Sequence, residues 1–157
     1  MSDDTSGIPA SRRQELAGRY AGAGFETGER LFGEAFLDML SRHDSLDPEW
    51  TSAWLGYVYE FMYGRRVMDE RTRALVMIGM HIAAGHYQDL RMHMISAIRL
   101  GVDPREILEV CLHAPLYVGM PTLRHSLGAF RAVLVELGLA TLDEPPFRYL
   151  QTGQEGE

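Results

Sequence analysis

The sequence predicts an all-α fold, a compact helical domain of about six to seven helices. Alternating apolar and polar positions are scarce, whereas apolar residues recur three and four positions apart along most of the chain. Helix starts and stops recur between these apolar runs, as Asp-Pro pairs and as single glycines. The 157 residues, 46% of them apolar, suffice for one domain with its own core. We expect a single domain over 1–157, with its core at about 26–138 and flexible or arm-like ends at 1–10 and 141–157.

Two helices are predicted before residue 47. Ser11 is the expected N-cap of a short helix that ends in the glycines of "GAG". Thr27 is the expected N-cap of a second helix that runs through Met39 and Leu40. Serine and threonine suit this position because the side-chain oxygen accepts a hydrogen bond from a free backbone N–H of the first turn.

The middle of the chain carries the sharpest boundaries. In "SLDPEW", Asp47 is the expected cap and Pro48 the first helical residue, and Gly64 supplies the stop. Asp69 opens the helix "MDERTRALVMIGMHIAAG", which ends at Gly85. Proline fits a first helical position because its missing N–H would have no helical partner there.

Three further helices complete the prediction. The first spans about 86 to 100 and is closed by Gly101. The second begins at Asp103, the cap of another Asp-Pro pair, and reaches a break at Gly119. The last helix covers about 122 to 137.

Charge and composition exclude several classes of function. The net charge is -7 and no block of Lys or Arg is present, which argues against nucleic acid as a partner. Lysine is absent, so Schiff-base chemistry is excluded. With no signal peptide and no apolar run of about 20 residues, we expect a soluble, cytoplasmic protein without a membrane partner. The lone Cys111 cannot close an intramolecular disulfide and is expected to pack as a small apolar side chain.

Two histidines and a carboxylate share one face of the helix at 86–100. Seven residues turn a helix by about 700°, so His86 and His93 differ by only about 20° around the axis. Leu90 and Met94 have the spacing of a buried stripe, and His93 falls in the same sector. We therefore expect His93 to point inward.

The next helix presents a second histidine in the same way. His113 lies among Val110, Ala114 and Tyr117, so His93 and His113 are expected to converge on one internal space. The alternative is that each is a core histidine whose ring nitrogens bond to backbone carbonyls or to a tyrosine hydroxyl.

A metal site is a weaker alternative for the same histidines. His86, Asp89 and His93 would supply three ligands, but their spacing is not His-Glu-x-x-His and a fourth ligand would have to come from elsewhere. We therefore predict no metal and no other cofactor.

From Asp69 to about Gly138 the chain resembles the carboxymuconolactone decarboxylase family, which includes the alkylhydroperoxidase-like proteins. The shared features are an Asp-x-x-Thr-Arg helix start, an inward histidine followed by small residues and a Gly stop, a Glu-Ile helix start, and Tyr-x-Gly-x-Pro. The resemblance implies an all-helical, alkylhydroperoxidase-like protomer that assembles into a ring, as a trimer or a hexamer.

The peroxidase branch of that family carries Cys-x-x-Cys-x-x-x-His and an upstream glutamate. In this chain His86 and Asp89 stand at the two cysteine positions, His93 at the histidine position and Ala74 at about the glutamate position. Without paired thiols no dithiol can be oxidised and regenerated, so thiol peroxidase activity is excluded.

The decarboxylase branch is the closer match. Its Glu-Glu-Leu-x-x-His run is matched by "QDLRMH", from Gln88 to His93, and the "LLH" before its Tyr-x-Gly-x-Pro is matched by "CLH", which ends at His113. The match implies a cofactor-independent carbon-carbon lyase of aromatic catabolism, which decarboxylates a small unsaturated lactone or carboxylic acid.

Two features depart from the family pattern. Tyr59 and Tyr63 stand where the family tends to have tryptophans, and Pro115 interrupts the helix that carries the histidine, so a kink is expected there. Two alternatives therefore stay open. One is a cofactor-free isomerase or cyclase of a secondary-metabolite pathway, and the other is a non-catalytic oligomer that binds a small molecule.

The expected catalytic residues follow from the chemistry of decarboxylation. The electrons left behind by carbon dioxide must be delocalised and then quenched by a proton, which requires an apolar pocket, an oxyanion donor and a general acid. His93 is the expected proton donor, oriented by Asp89 or Gln88. His113 and Tyr117 are expected to line the pocket and to contact the oxyanion.

Further residues are expected to bind the substrate. An arginine can clamp a carboxylate by a bidentate pair, and the candidates are Arg73, Arg91 and Arg124. The alternative for each arginine is a surface or intersubunit salt bridge. His86 is expected at the mouth of the pocket. The expected partners are a small-molecule substrate and further copies of this chain.

Overall fold

The computed structural model describes residues 7–140, and within this range the chain forms helices and no strand, which confirms the predicted all-α class. The chain divides into two compact units, one up to Met68 and one from Asp69 onward. We call them the N-terminal and C-terminal units, and the single domain expected over 1–157 stays a prediction. The arm expected at 141–157 and residues 1–6 lie outside the described residues.

The N-terminal unit contains four α-helices and a π-helical segment that continues the fourth: α1 Ala10–Arg19, α2 Ala23–Phe32, α3 Glu34–Leu46, α4 Pro48–Leu55 and the π segment Gly56–Met62. The caps predicted at Ser11 and Thr27 are wrong, since Ser11 lies inside α1 and Thr27 inside α2. The helix predicted through Leu40 is also divided. Gly33 has φ 56°, which breaks the helix between α2 and α3, and glycine adopts this left-handed value without steric cost.

The predicted start at Asp47 is confirmed. Its side chain accepts hydrogen bonds from the backbone N–H groups of Glu49 and Trp50, each at 3.0 Å, and Pro48 is the first helical residue. The helical backbone ends just after Gly64, as predicted. Tyr59, on the π segment, is buried and its ring centroid lies 5.0 Å from that of Phe36, so this tyrosine is part of the core.

The close approach of α2 and α3 depends on Gly28. A Cβ atom at this position would lie 2.2 Å from the Cε2 atom of Phe36, whose ring is fully buried. We expect Gly28→Ala to lower the free energy of unfolding by about 1–3 kcal/mol, as overpacking does, and chemical denaturation measures this. Gly18→Ala is the control, because nothing lies within 4 Å of its added Cβ. That exposed α1 position should gain about 0.5–1 kcal/mol, and equal effects at both positions would contradict the argument.

The C-terminal unit contains five α-helices: α5 Glu70–Ala84, α6 Tyr87–Arg99, α7 Pro104–His113, α8 Pro115–Val118 and α9 Pro121–Glu136. The starts predicted at Asp69 and Asp103 are confirmed. Asp69 accepts from the Thr72 N–H at 2.9 Å, and Asp103 forms a capping box with Glu106. The predicted stops at three glycines are also confirmed, and all three have positive φ: Gly85, Gly101 and Gly119.

The core of this unit lies between α5, α6, α7 and α9. Its fully buried side chains include the following: Ile78, Ile82, Leu90, Met94, Ile107, Cys111, Phe130 and Leu134. Burial raises the pKa of the Cys111 thiol to about 12, which agrees with its expected role as a small packing residue. Pro115 begins a new helix directly after α7, so the expected interruption is found.

None of the helices in residues 7–140 has both the length and the apolar content that a bilayer crossing requires.

Candidate active site

His93 lies on the inner face of α6, as predicted. Leu90, Met94 and Ala97 form the fully buried stripe of this helix. His93 lies on the same stripe, and only 8% of its surface is exposed. The protonation state of a buried imidazole depends on the groups that surround it.

The nearest neighbouring ring is a second histidine, His81 on α5. The ring centroids of His81 and His93 are 4.2 Å apart, and the planes are tilted by 41°. His81 Nδ1 donates a hydrogen bond to the Met77 carbonyl at 2.8 Å, which leaves the lone pair of the neutral ring on Nε2. His86, which precedes α6, is exposed, and its ring centroid is 6.1 Å from that of His81. We call His81, His86 and His93 the histidine cluster.

His81 was not among the site residues predicted from the sequence. The available signal was its position on α5, three residues after Ile78 and one before Ile82, which places it at the edge of the buried stripe. The spacing along one helix does not say which residue of another helix it will meet. Only the packing of α5 against α6 brings His81 to His93.

The pKa of His93 is strongly displaced. Burial lowers it first, the charge of a protonated His81 lowers it further, and the charge of Asp89 acts in the opposite direction, with a final value of about 4. His93 is therefore neutral at pH 7. Asp89 and Gln88, which were expected to orient it, are both exposed on the first turn of α6.

A groove of about 440 Å³ lies between α5 and the pair α7 and α8. Its walls are mostly apolar and include three polar side chains, those of Glu109, His113 and Tyr117. The other lining residues are Gly79, Ala83, Val110, Ala114 and Val118. The rings of His113 and Tyr117 lie 5.6 Å apart between centroids. The face predicted around His113 is therefore present, but it opens to solvent instead of pointing inward.

The inward orientation predicted for His113 is wrong, and so is its convergence with His93 within this chain. Ile107 and Cys111 form the buried stripe of α7, and His113 lies two positions after Cys111, about 200° around the helix. On α5, His81 is likewise about 200° from Gly79, which lines the groove. The histidine cluster and the groove thus occupy different faces of α5.

The predicted arginines are distributed over three helices. Arg91 forms an exposed ion pair with Glu136 of α9, with 2.6 Å between Nη2 and Oε2, in line with its salt-bridge alternative. Arg73 is half-buried on the first turn of α5, and Arg124 is exposed on α9. A carboxylate clamp at either residue stays a prediction. Within residues 7–140, no group of three or more His, Cys, Asp or Glu side chains is arranged to hold a metal ion.

These features describe an all-helical protein in which the buried His93 imidazole packs against the half-buried His81 and the sequence has a single cysteine. The model of the carboxymuconolactone decarboxylase family matches residues 48–132, more than half of the chain, and the chain belongs to this family. The resemblance found in the sequence is confirmed.

Two curated relatives are similar to most of the chain. The 4-carboxymuconolactone decarboxylase of Acinetobacter baylyi is 26% identical over 118 residues, which cover 74% of this chain and 88% of that protein. The nitrosuccinic acid decarboxylase of Metarhizium robertsii is 29% identical over 116 residues, which cover 69% of this chain and 76% of that protein. Both relatives are named as decarboxylases, which supports a decarboxylase of this family type.

Proposed function

We propose that this protein is a cofactor-independent carboxy-lyase that removes carbon dioxide from a small organic acid, with His93 as the proton donor. The observation that carries the proposal is the buried His93 imidazole in ring contact with His81, with its pKa displaced to about 4. Titratable groups displaced so far by burial and a specific neighbour cluster at functional sites.

The names of the two relatives indicate the substrate class. A carboxylated muconolactone carries its carboxylate on a lactone ring, and nitrosuccinic acid carries one beside a nitro-bearing carbon. In both acids a neighbouring group accepts the electron pair that carbon dioxide leaves behind. We therefore propose a substrate whose carboxylate is attached to a carbon that is bonded to, or conjugated with, a carbonyl or nitro group, with an unsaturated lactone acid as the first choice.

The proposed reaction has two steps. The bond between the carboxylate and its carbon breaks, carbon dioxide departs, and the electron pair spreads onto the neighbouring acceptor group. The same carbon then takes a proton from His93, which becomes neutral. The apolar stripe around His93 favours the first step because it solvates an ionised carboxylate poorly, whereas the delocalised anion is less affected.

His93 becomes an acid only when the substrate arrives. In the free chain burial keeps it neutral at pH 7, but a bound carboxylate close to the ring raises the pKa of an imidazole. Asp89 acts in the same direction from one turn away. In this proposal His113 and Tyr117 lie on the other face of α5 and take no part in the proton transfer.

The proposal is tested by mass spectrometry of metal-free protein incubated with 4-carboxymuconolactone and, separately, with nitrosuccinic acid. Loss of the mass of carbon dioxide at an enzymatic rate is the expected result for at least one acid. A product of unchanged mass would favour an isomerase or cyclase. Saturable binding without any product would favour a binding oligomer, and either result would overturn the lyase.

The pH dependence of turnover follows from the displaced pKa. We expect kcat and kcat/KM to fall as the pH rises, because the donor must be protonated. Since bound carboxylate raises the pKa of His93, kcat should fall at a higher pH than kcat/KM, which reports the free protein. Steady-state rates between pH 5 and 9 measure both. Coincident profiles would contradict the induced protonation of His93.

We also propose that the protein assembles from two or more copies through the helices that form the groove. These helices and the residues after them carry large apolar side chains that are exposed to water in the single chain. They are Val76, Met80, Leu112, Leu116, Tyr117, Val118 and Met120. Monomeric proteins rarely expose such side chains together, and a second copy of the chain offers the same apolar surface.

Assembly is tested at Leu116, which is 72% exposed on α8. We expect light scattering of the wild type to give a multiple of the 17.7 kDa chain mass, and Leu116→Glu to give a smaller mass because it places a charge in the contact. Leu116→Met keeps the position apolar and should leave the wild-type mass unchanged. A wild type of 17.7 kDa at micromolar concentration would refute the assembly.

A further inference from the structure

We propose that His81 is a positioning residue that supplies the proton that His93 delivers to the substrate. The two imidazoles thereby share one proton. The inference rests on the proposed carboxy-lyase function, because it concerns the proton that replaces carbon dioxide. It adds a residue that the sequence motifs of the site did not include.

The contact between the rings is the first argument. With 4.2 Å between the centroids of His81 and His93, a positive charge on one ring opposes a positive charge on the other, so the two rings are not charged at the same time. The hydrogen bond from His81 Nδ1 to the Met77 carbonyl fixes which nitrogen of His81 can exchange. A proton enters and leaves His81 at Nε2.

The exposure of the rings is the second argument. His93 is 8% exposed, His81 is half-buried, and His86, 6.1 Å from His81 between centroids, is exposed. A charge costs less on the half-buried ring than on the buried ring. His81 therefore stands between solvent and the donor, where it can take a proton from water without His93 being opened to solvent.

The stoichiometry of decarboxylation requires such a supply. One ionised acid and one proton give one carbon dioxide and one product in which a new C–H bond replaces the C–C bond. His93 gives its proton to carbon, the neutral His93 takes a proton from His81 Nε2, and His81 takes its next proton from water. Each turnover consumes one solvent proton, and no oxidant or reductant is needed.

Other titratable or charged groups stand on the helices packed around the pair. Those on α6 and α9 include Asp89, one turn from His93, the ion pair of Arg91 with Glu136, and His125, whose ring stacks on Tyr87 at 4.7 Å between centroids. On α7, Glu109 and His113 line the groove on the other face of α5. Asp89 and His81 are the two groups whose charges act on the pKa of His93.

The experiment compares His81→Gln and His81→Phe with the wild type, and uses His125→Gln as the control. The side chains of Gln and Phe cannot take up a proton near neutral pH, and Phe keeps a ring in the position of the His81 imidazole. We expect both variants to lower kcat at pH 7 by on the order of tenfold or more, with KM within about threefold, because the proton supply and not binding is lost. The pH profile of kcat should also change, and added imidazole should restore kcat of His81→Gln in proportion to its concentration.

A second readout does not depend on activity. NMR titration of the His93 ring in the free protein should give a higher pKa in His81→Gln than in the wild type, because the opposing charge is gone. An unchanged His93 titration, or a kcat of both folded variants within twofold of the wild type, would overturn the shared proton. If the wild type releases no carbon dioxide from either acid, the proposed function fails, and the NMR titration alone decides the sharing.

Discussion

Replacing His93 by alanine is expected to lower kcat/KM for the decarboxylated acid by about 10²–10⁴-fold, the range over which a positioned general acid contributes. The imidazole is the only titratable group of the buried α6 stripe, and water reaches that position poorly because the ring is 8% exposed. No other group on the stripe can deliver the proton to carbon in its place. Steady-state kinetics of the purified variant measure the loss.

The control must separate chemistry from stability, since alanine leaves a cavity where the ring was. Cys111→Ala truncates another fully buried side chain of the same core and touches no part of the proposed proton path. It should cost some stability and leave kcat/KM near the wild-type value. His93→Ala with normal turnover would remove His93 from the mechanism, whatever its stability.

The groove offers a competing location for the chemistry, and His113 decides between the two. His113→Ala should change kcat/KM much less than His93→Ala, because His113 lies on the other face of α5 from the histidine cluster. If His113→Ala abolished turnover while His93→Ala did not, the groove would be the active site. The apolar walls of Gly79, Ala83 and Val110 would then surround the substrate.

Much of the fold of the C-terminal unit could be predicted from single residues. Asp69, Asp103 and the glycines that end α5, α6 and α8 act through local backbone hydrogen bonds and dihedral angles, which depend on neighbours in sequence. The caps predicted at Ser11 and Thr27 failed because both helices begin earlier in the chain. α1 begins at Ala10, directly after Pro9, and α2 begins at Ala23, directly after Gly22.

The site was harder to predict, because it depends on contacts between helices. The burial of His93 followed from its spacing to Leu90 and Met94. The exposure of His113 did not, since the apolar residues of α7 permit two faces and only the packing of Ile107 against the core selects one. His81 and His93 are twelve residues apart on two helices, and the spacing of apolar residues along either helix does not predict their contact.

A buried carboxylate in the N-terminal unit carries the second large expected effect. Asp44 on α3 is 4% exposed and accepts three hydrogen bonds: from Tyr20 Oη at 2.5 Å, from Arg12 Nη2 at 2.5 Å and from Arg19 Nη1 at 2.6 Å. Burial acts to raise the pKa of Asp44, but the three donors outweigh it and hold the pKa below its ordinary value. These hydrogen bonds connect α3 to α1 and to Tyr20, which directly follows α1.

Asp44→Ala is expected to lower the free energy of unfolding by about 3 kcal/mol, near the lower end of the cost of breaking a buried ion pair, since both guanidinium groups keep some contact with water. Chemical denaturation at pH 7 measures the loss. Asp38→Ala on the same helix is the matched control. Its ion pair with Arg42 is exposed, and its removal should cost less than about 1 kcal/mol.

The pH dependence separates the charge of Asp44 from its packing. Because its folded pKa is depressed, the ionised carboxylate stabilises the fold above its unfolded pKa of about 3.9, and this contribution is lost as the pH falls toward the folded value. The difference in unfolding free energy between wild type and Asp44→Ala should therefore be constant at neutral pH and shrink in acid. A difference that stays the same from pH 7 down to pH 3 would mean that Asp44 stabilises the helices by its volume and not by its charge.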